Sequence, residues 1–242
     1  MTQPVMEATG VAKVLGHGAG QVRALKGVNL SLRGGELTLL MGPSGSGKST
    51  LLSILGCMLT PTEGTVRLLG DSIAGKGPED LAKLRRENIG FVFQSYHLFP
   101  TLTATDNVRL ALDVRGETGK AAKTKSHEAL TRVGLSHKTA SYPRELSGGE
   151  QQRVAIARAV VGGPSVILAD EPTAALDSEN GKAIMTILAE IAMDPRRSVL
   201  VVAHDPRLVQ FADRIIHIED GSIVHEETRG ASEKLRAMAG RE

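Results

Sequence analysis

The chain has 242 residues and a formal net charge of +2, so charge alone does not indicate nucleic acid or an anionic membrane surface as a partner. A single cysteine, Cys57, excludes an internal disulfide, and its apolar helical surroundings predict a small buried side chain. The start, MTQPVMEATG, is not typical of a secretory signal, and no apolar run approaches the roughly 18 residues that span a bilayer. We therefore expect one cytoplasmic domain over 1–242 that does not enter a membrane by itself.

Short apolar runs alternate with helical patterns, which predicts an α/β fold with a parallel sheet. The more alternating segments VRALKGVNLSLRGGE and TVRLLGDSI favour an antiparallel β subdomain in the N-terminal part, with one solvent-facing side. The segment RIIHIEDGSIV contains an Asp-Gly turn and predicts a late hairpin. Continuous apolar runs predict strands buried on both faces at 36–41, 88–94, 165–171 and 198–204.

The segment 95–161 has helical spacing and contains no convincing strand. We interpret it as a helical subdomain inserted into an α/β core that is formed by 1–94 and 162–228. The remaining residues, 229–242, are expected to form a short helical tail.

The sequence GPSGSGKST, at 42–50, fits the phosphate-loop pattern G-x-x-x-x-G-K-[ST] without a gap. A predicted strand precedes it, and the helix KSTLLSILG follows. Glycines let the backbone approach an anion closely, and the N–H groups of a helix N-terminus then face it. Lys48 would reach the β- and γ-phosphates, and the Ser49 hydroxyl would bind Mg²⁺. The residues expected to hold the phosphates are Gly42, Pro43, Ser44, Gly45, Ser46, Gly47, Lys48, Ser49 and Thr50.

Three of the predicted core strands end in polar residues: Gln94, the pair Asp170 and Glu171, and His204. Ligands of open α/β sheets bind beyond the carboxyl ends of the strands, so these side chains should converge on the phosphate loop. We expect Asp170 to hold Mg²⁺ through water and Glu171 to orient or deprotonate an attacking water. His204 would contact the γ-phosphate, and Gln94 would reach Mg²⁺ or the water.

A second glycine-containing segment, LSGGEQQR, includes Ser147 and Glu150 in the S-x-x-E pattern of a capping box. The simplest interpretation is a capped helix that Gly162, Gly163 and Pro164 end. However, glycine is a poor residue for a first helical turn unless something must approach the backbone there. The pair Gly148 and Gly149 therefore predicts a second anion site. Because the helical subdomain would project away from the phosphate loop, a second copy of the chain could supply it.

Taken together, these segments resemble the ATP-binding cassette (ABC) ATPases over about 5–224, a family of the P-loop NTPase fold with a RecA-like parallel sheet. The resemblance implies a homodimer in which each ATP and its Mg²⁺ lie between one chain's phosphate loop and the other's signature. Ser147 and Gly149 would then contact the opposing γ-phosphate, and Asp177 would couple the two sites. The motifs that carry the resemblance are, in chain order, GPSGSGKST for Walker A, Gln94 for the Q-loop, LSGGE for the signature, VILADE for Walker B, AALD for the D-loop and His204 for the switch histidine.

The sequence departs from the family pattern near Leu15, where an aromatic residue usually stacks on adenine and where only Val14, Leu15 and His17 are available. Glu150 stands where Gln is commoner in the signature, and Ala174 where Ser or Gly precedes the ALD of the D-loop.

The resemblance also implies integral membrane permease subunits as partners, with no nucleic acid and with membrane contact through the permease alone. The protein would be peripheral on the inner face of the cell membrane. The docking surface is expected at 93–108, where Tyr96 and Phe99 are either anchors or core residues. Within the family, the chain is most similar to the ATPases of lipoprotein-release and macrolide-export systems.

Three alternatives stay open: a regulatory ABC ATPase that moves no substrate, as in cell division; the ATPase of an importer; and a small-molecule kinase or GTPase. The last would not need LSGGE, and the chain has no N-K-x-D guanine motif. Neither the cargo nor the direction of transport is written in these motifs.

Overall fold

The computed structural model describes residues 4–229, so nearly all of the expected helical tail at 229–242 lies outside the described residues. The strands are β1 Met6–Leu15, β2 Val22–Leu32, β3 Leu37–Met41, β4 Glu63–Leu68, β5 Asp71–Ser72, β6 Ile89–Val92, β7 Val166–Asp170, β8 Ser198–Val202, β9 Arg214–Glu219 and β10 Ser222–Thr228. The α-helices are α1 Lys48–Leu55, α2 Pro78–Asn88, α3 Ala104–Asp113, α4 Gly119–Arg132, α5 Gly148–Val160 and α6 Ser178–Ala192.

The central sheet has six strands in the order β10-β9-β3-β8-β7-β6, and its strands are parallel except for β10. The four predicted core strands and the late hairpin all belong to this sheet. The core strands are shorter than predicted, with the result that Gln94, Glu171 and His204 lie in loops beyond them and Asp170 is the last residue of β7. Parallel strands place these carboxyl ends along one edge of the sheet.

The core lies on both faces of this sheet because alternate residues of each strand point to opposite sides. On β3, Leu39 packs with α5, α6 and the helices α3 and α4, while Leu40 packs with α1 and the antiparallel sheet. Both leucines are fully buried. Cys57 is buried in the second cluster, as predicted, and burial raises the pKa of its thiol.

A second, antiparallel sheet has the order β2-β1-β4-β5. It confirms the antiparallel interpretation of the alternating N-terminal segments. Strand β1 was not predicted, and its pairing with β2 shifts register between Ala8 and Val11, where Gly10 interrupts the alternation with a φ of +61°. Helix α2 was also missed. It buries no residue, so it leaves little apolar periodicity in the sequence.

Between β6 and β7, the described chain contains helices α3, α4 and α5 and no strand. Helix α5 begins at Gly148, directly after its capping residue Ser147. None of the helices within 4–229 is long and apolar enough to cross a membrane. The subdomain boundaries at 95 and 161 stay predictions.

Candidate functional site

The loop between β3 and α1 turns sharply, and its glycines are required where other backbone lies close. A Cβ at Gly47, where φ is +99°, would lie 2.6 Å from the carbonyl oxygen of Ala24. A Cβ at Gly42 would collide with the carbonyl oxygen of Ile218. Sequence therefore dictates the path of the loop through the absence of side chains at these two positions.

Lys48, the first residue of α1, points back into the loop and is only 7% exposed. Its Nζ donates to the carbonyl oxygens of Gly42 at 2.8 Å and Pro43 at 2.7 Å, and it lies 3.4 Å from Ser46 Oγ. Burying an ammonium group is costly unless its donors are satisfied, and the loop carbonyls satisfy them here. The contacts place a positive charge inside the curl of the loop.

A cavity of about 600 Å³ opens over this loop. That volume falls within the usual range for small-molecule sites, roughly 300–1,000 Å³. Most of the phosphate-loop residues border it, and so do Glu171 and His204. The lining residues are Leu15, Val22, Arg23, Ala24, Lys26, Gly42, Ser44, Gly45, Gly47, Lys48, Ser49, Thr50, Glu171, His204, Asp220 and Gly221.

The antiparallel sheet and the late hairpin contribute cavity residues that sequence reasoning missed, among them Arg23, Lys26 and Asp220. Leu15 and Val22 are register partners on β1 and β2, with relative exposures of 38% and 63%. They give the cavity an aliphatic border at the position where an aromatic residue is lacking. No motif marks Val22, Arg23 or Lys26, because strand pairing alone brings them to the loop.

Ser49 and Asp170 meet beside the loop, where the Ser49 side chain hydrogen-bonds the Asp170 carboxylate. Burial, and secondarily the negative charge of Glu171, raise the pKa of Asp170, while the bond from Ser49 and the charge of Lys48 oppose that rise. A hydroxyl and a carboxylate are oxygen donors of the kind that Mg²⁺ prefers, and Mg²⁺ commonly takes few protein ligands beside phosphates and water. The pair therefore fits Mg²⁺, although residues 4–229 contain no group of three or more His, Cys, Asp and Glu that could hold a metal.

Glu171 and His204 lie next to each other at the ends of β7 and β8, with 3.4 Å between Glu171 Oε1 and His204 Nδ1. Glu171 has a φ of +46°, which is unusual for a residue with a side chain, and its N–H donates to the Val202 carbonyl oxygen at 3.0 Å. Such backbone conformations are concentrated at functional sites. The pair presents a carboxylate and an imidazole to the same cavity as Lys48.

Gln94 is exposed in a turn two residues beyond β6 and does not border the cavity. Strand order explains the separation, because β8 and β7 stand between β6 and the loop-bearing β3. Pro43 and Ser46 also do not line the cavity: the Pro43 carbonyl and the Ser46 hydroxyl face Lys48 instead.

The helix α5 starts with the expected capping box. Ser147 Oγ accepts from the Glu150 N–H at 3.2 Å, and Glu150 Oε2 accepts from the Ser147 N–H at 2.7 Å. This last bond is the main reason that the pKa of Glu150 is lowered. Ser147 itself is exposed, whereas Gly148 is half-buried and Gly149 is buried, so the capping residue is the part of the α5 N-terminus that faces outward.

The two glycines after Ser147 have neighbours within the same chain. A Cβ at Gly148 would lie 2.9 Å from the Tyr96 hydroxyl oxygen, and one at Gly149 would lie 2.5 Å from Asn180 Oδ1. Packing within the chain therefore explains in part why Gly148 and Gly149 carry no side chain. Sequence reasoning missed this because Asn180 belongs to a different helix.

Asp177 caps helix α6 and is exposed. Its carboxylate accepts from the backbone N–H groups of Glu179 at 3.0 Å and Asn180 at 2.9 Å, and from Asn180 Nδ2 at 2.7 Å. The hydrogen bonds from Asn180 are the chief reason that the pKa of Asp177 is lowered. Neither Asp177 nor any of Ser147, Gly148 and Gly149 borders the cavity over the phosphate loop.

Comparison with known proteins agrees with this arrangement. The model of the ABC transporter family matches residues 25–174. The chain belongs to the ABC transporter family. It is an ATPase cassette of that family, and this confirms the resemblance drawn from the six motifs.

The most similar curated relatives include macrolide export ATP-binding/permease proteins MacB. The protein from Salmonella choleraesuis (strain SC-B67) is 47% identical over 91% of this chain, and the one from Shigella flexneri is 45% identical over 99%. These matches cover only 34% and 36% of the two relatives, so the chain spans about a third of their length.

Among solved structures, the dimeric post-hydrolysis state of the ATP-binding cassette MJ0796 bound to ADP and Pi has a TM-score of 0.84 and 42% identity. The match covers 93% of this chain and 99% of that one. The cbiO1 protein from Clostridium perfringens, part of the ABC transporter complex cbiONQ, also has a TM-score of 0.84, at 27% identity over 99% of this chain and 96% of that one.

The raised pKa of Asp170 generates a prediction for the metal-free protein. Replacing Asp170 with Asn should raise the melting temperature at about pH 7, because it removes a half-buried charge that burial and Glu171 disfavour. The gain should shrink at acid pH, because the raised pKa makes the folded chain take up this proton more readily than the unfolded chain does. Thermal denaturation in EDTA at neutral and at acid pH measures it.

Asp194→Asn is the control, and its melting temperature should change in the opposite direction. Arg196 lowers the pKa of Asp194, so removing this charge should cost stability at neutral pH. A melting temperature of Asp170→Asn at or below that of the wild type at about pH 7 would contradict the assignment.

Proposed function

We propose that this chain is the ATP-binding and ATP-hydrolysing part of an ABC transporter of the export type, working as a pair of identical cassettes on a membrane permease. One observation carries the proposal. The cavity over the phosphate loop holds Lys48, Glu171 and His204, whereas the capped N-terminus of α5 is exposed elsewhere on the same chain. A second copy, packed head to tail, would bring that N-terminus to the first copy's cavity.

The phosphates of ATP would occupy the curl of the phosphate loop. There Lys48 would exchange its bonds to the Gly42 and Pro43 carbonyl oxygens for bonds to the β- and γ-phosphates. The N-terminus of α1 adds its partial positive charge to the same place. The base would lie against the aliphatic border formed by Leu15 and Val22.

Ser49 and Asp170 would hold Mg²⁺, Ser49 directly and Asp170 through water. The ion would supply positive charge that neutralises the phosphate oxygens of the nucleotide. Gln94 would take part only after moving from its exposed turn, and closure of the two copies would supply that movement.

Glu171 would accept a proton from the attacking water, or orient that water in line with the γ-phosphate. His204, with its Nδ1 3.4 Å from Glu171 Oε1, is placed to steady this carboxylate and to contact the γ-phosphate. The attack breaks the bond between the γ-phosphorus and the bridging oxygen, and the products are ADP and phosphate. Once the γ-phosphate that links the two copies is cleaved from the nucleotide, the copies would separate. Bound ATP would therefore favour the closed pair.

The partner's γ-phosphate would be bound by Ser147 and by the backbone of Gly148 and Gly149 at the start of α5. A bare helix N-terminus suits an anion because its first N–H groups lack helical partners. Asp177, exposed at the start of α6, would lie at the contact between the copies. The solved cassette dimer with ADP and Pi, at 42% identity, supports this pairing.

A permease is proposed as the membrane partner because the MacB relatives carry ATP-binding and permease functions in one protein. The surface proposed for it combines the segment 93–108 with an adjoining groove of about 430 Å³ between α2, β6, α3 and α5, in which Arg158 donates to the Tyr96 carbonyl oxygen. Its walls include four arginines, and Val114 at its border is 61% exposed. The arginines are Arg85, Arg86, Arg115 and Arg158.

Within the predicted docking segment 93–108, the two aromatic residues differ in exposure and in contacts. Phe99 is 54% exposed and available as an anchor for the permease. Tyr96 is half-buried, and its hydroxyl lies against Gly148, which favours an internal packing role. We place the protein on the cytoplasmic face of the cell membrane, held there by the permease alone and without nucleic acid.

Glu171→Gln should bind ATP like the wild type. Its turnover of ATP should fall by at least about a hundredfold, because the carboxylate that acts on the water is lost. Steady-state phosphate release and equilibrium binding of a fluorescent ATP analogue measure the two properties. Glu128→Gln, on the exposed side of α4, is the matched control and should be unaffected. Near-normal hydrolysis by Glu171→Gln would refute this role.

Ser147→Arg should abolish hydrolysis and leave the ATP affinity of a single chain unchanged, because the phosphate loop is its own and the capped helix serves its neighbour. Lys48→Ala should instead lose both properties. Ser136→Arg, at another exposed serine of the helical region, controls for an added charge. If the ATP affinity of the isolated Ser147→Arg chain collapsed, the two-copy arrangement would be wrong.

The permease is tested by capture. Tagged Glu171→Gln, trapped with ATP and Mg²⁺, should recover from detergent-solubilised source membranes a permease with few spans and a large extracytoplasmic domain. Mass spectrometry identifies it, and a second bait with Arg86→Glu in the groove should lose it. A many-spanning permease with a solute-binding protein would contradict export, and no membrane partner at all would contradict transport.

A further inference from the structure

Arg207 follows His204 closely and forms a local ring with Asp205. Its backbone N–H donates to Asp205 Oδ1 at 2.9 Å, its Nε lies 3.0 Å from both carboxylate oxygens, and its Nη2 donates to Oδ2 at 2.8 Å. Asp205 also caps the short 3-10 helix Pro206–Phe211. The ring therefore fixes the loop that carries His204.

One further donor of the same guanidinium leaves this loop. Arg207 Nη1 donates to Ser178 Oγ at 2.9 Å, across 29 positions of sequence. Ser178 is the first residue of α6, directly after Asp177. The two loops face each other over a small gap of about 50 Å³ that Asp177 and Asp205 also line.

A second pair in the chain shows that the ring by itself is not unusual. Arg196 contacts Asp194 in the same way, through its backbone N–H at 3.0 Å, its Nε at 2.9 Å and its Nη2 at 2.8 Å. Within residues 4–229, the side-chain hydrogen bonds of Arg196 go to Asp194 alone. What distinguishes Arg207 is the bond to Ser178.

Beyond Ser178, a hydrogen bond and then a close packing contact lead to the start of α5. Asn180 Nδ2 donates to Asp177 Oδ2 at 2.7 Å, and Asn180 Oδ1 stands where a side chain of Gly149 would begin. At the other end, the loop of Arg207 begins with His204, which lies 3.4 Å from Glu171. A continuous series of contacts thus joins the catalytic end of one ATP site to the residues that would serve the other.

We propose that Arg207 is a positioning residue that couples the His204 loop of one ATP site to Asp177 and the α5 N-terminus, which complete the site on the partner copy. The inference rests on the proposed function. Arg207 touches no phosphate in this arrangement and acts through the Ser178 hydroxyl. A shift of the His204 loop on hydrolysis would pull on the start of α6, and so on the contact between the copies.

The exposure of these groups separates a coupling role from a merely structural one. The Arg207 side chain is 68% exposed, and exposed ion pairs contribute little to stability. Loss of the Ser178 bond should therefore leave the melting temperature nearly unchanged. Its effect should instead appear in turnover, which depends on how the two loops are held relative to each other.

The test compares Arg207→Gln, Ser178→Ala and their double variant with Arg196→Gln as the matched control. We expect Arg207→Gln and Ser178→Ala each to lower kcat about fivefold, within the range that residues in direct contact show. ATP affinity of the single chain should stay as in the wild type, and the melting temperature of Arg207→Gln should fall no further than that of Arg196→Gln, which loses the same kind of ion pair. The double variant should be no slower than the slower single one, because both remove the same bond. Ser178→Thr, which keeps the hydroxyl, should retain activity.

Two results would overturn the coupling role and leave the proposed function intact. One is a kcat of Arg207→Gln equal to that of Arg196→Gln. The other is a double variant whose loss of kcat is the product of the two single losses. A fall in melting temperature that matches the fall in kcat would also overturn it. If the wild-type chain neither hydrolysed ATP nor paired with it, the proposed function would fail, and this inference with it.

Discussion

The buried ammonium group of Lys48 is the interaction on which the site depends. The carbonyl oxygens of Gly42 and Pro43 accept its hydrogen bonds and hold the loop curled around a positive charge. That charge also opposes the rise in the pKa of Asp170, which burial would otherwise push further. The loop, the helix α1 and the carboxylate at the end of β7 are therefore one electrostatic unit. It combines a positively charged site suited to phosphate with oxygen atoms suited to a metal ion.

This unit is asymmetric. One side of the phosphate cavity is built from the chain's own strand ends, while the exposed N-terminus of α5 stands away from it with its cap already formed. In a pair of chains related by a two-fold axis, the phosphate cavity of each chain would face the α5 N-terminus of the other. This is the simplest closed assembly for a chain with two complementary surfaces. In the proposed pair, hydrolysis at one cavity would alter the surface that completes the other, and the contacts from His204 through Arg207 to Asp177 would give that effect a physical route.

Much of the fold could be predicted because local rules and global packing agree. Continuous apolar runs marked β3, β7 and β8, and the Asp-Gly turn marked the hairpin of β9 and β10. The elements that were missed lack such signals. Strand β1 is interrupted by bulges, and α2 lies on the surface without burying a residue. A surface helix that buries no side chain leaves only a weak periodic pattern in the sequence.

By itself, the sequence determined the phosphate loop, the capping box and the polar strand ends, because each depends on residue types at fixed short spacings. Tertiary structure alone decided the rest. Strand order brings Glu171 and His204 to the cavity and leaves Gln94 outside it, and strand pairing brings Leu15 and Val22 together at its border. The approach of Asn180 to Gly149, and of Arg207 to Ser178, joins segments about 30 positions apart. Local spacing carries no record of such contacts, since they arise only when the helices and loops pack on the finished sheet.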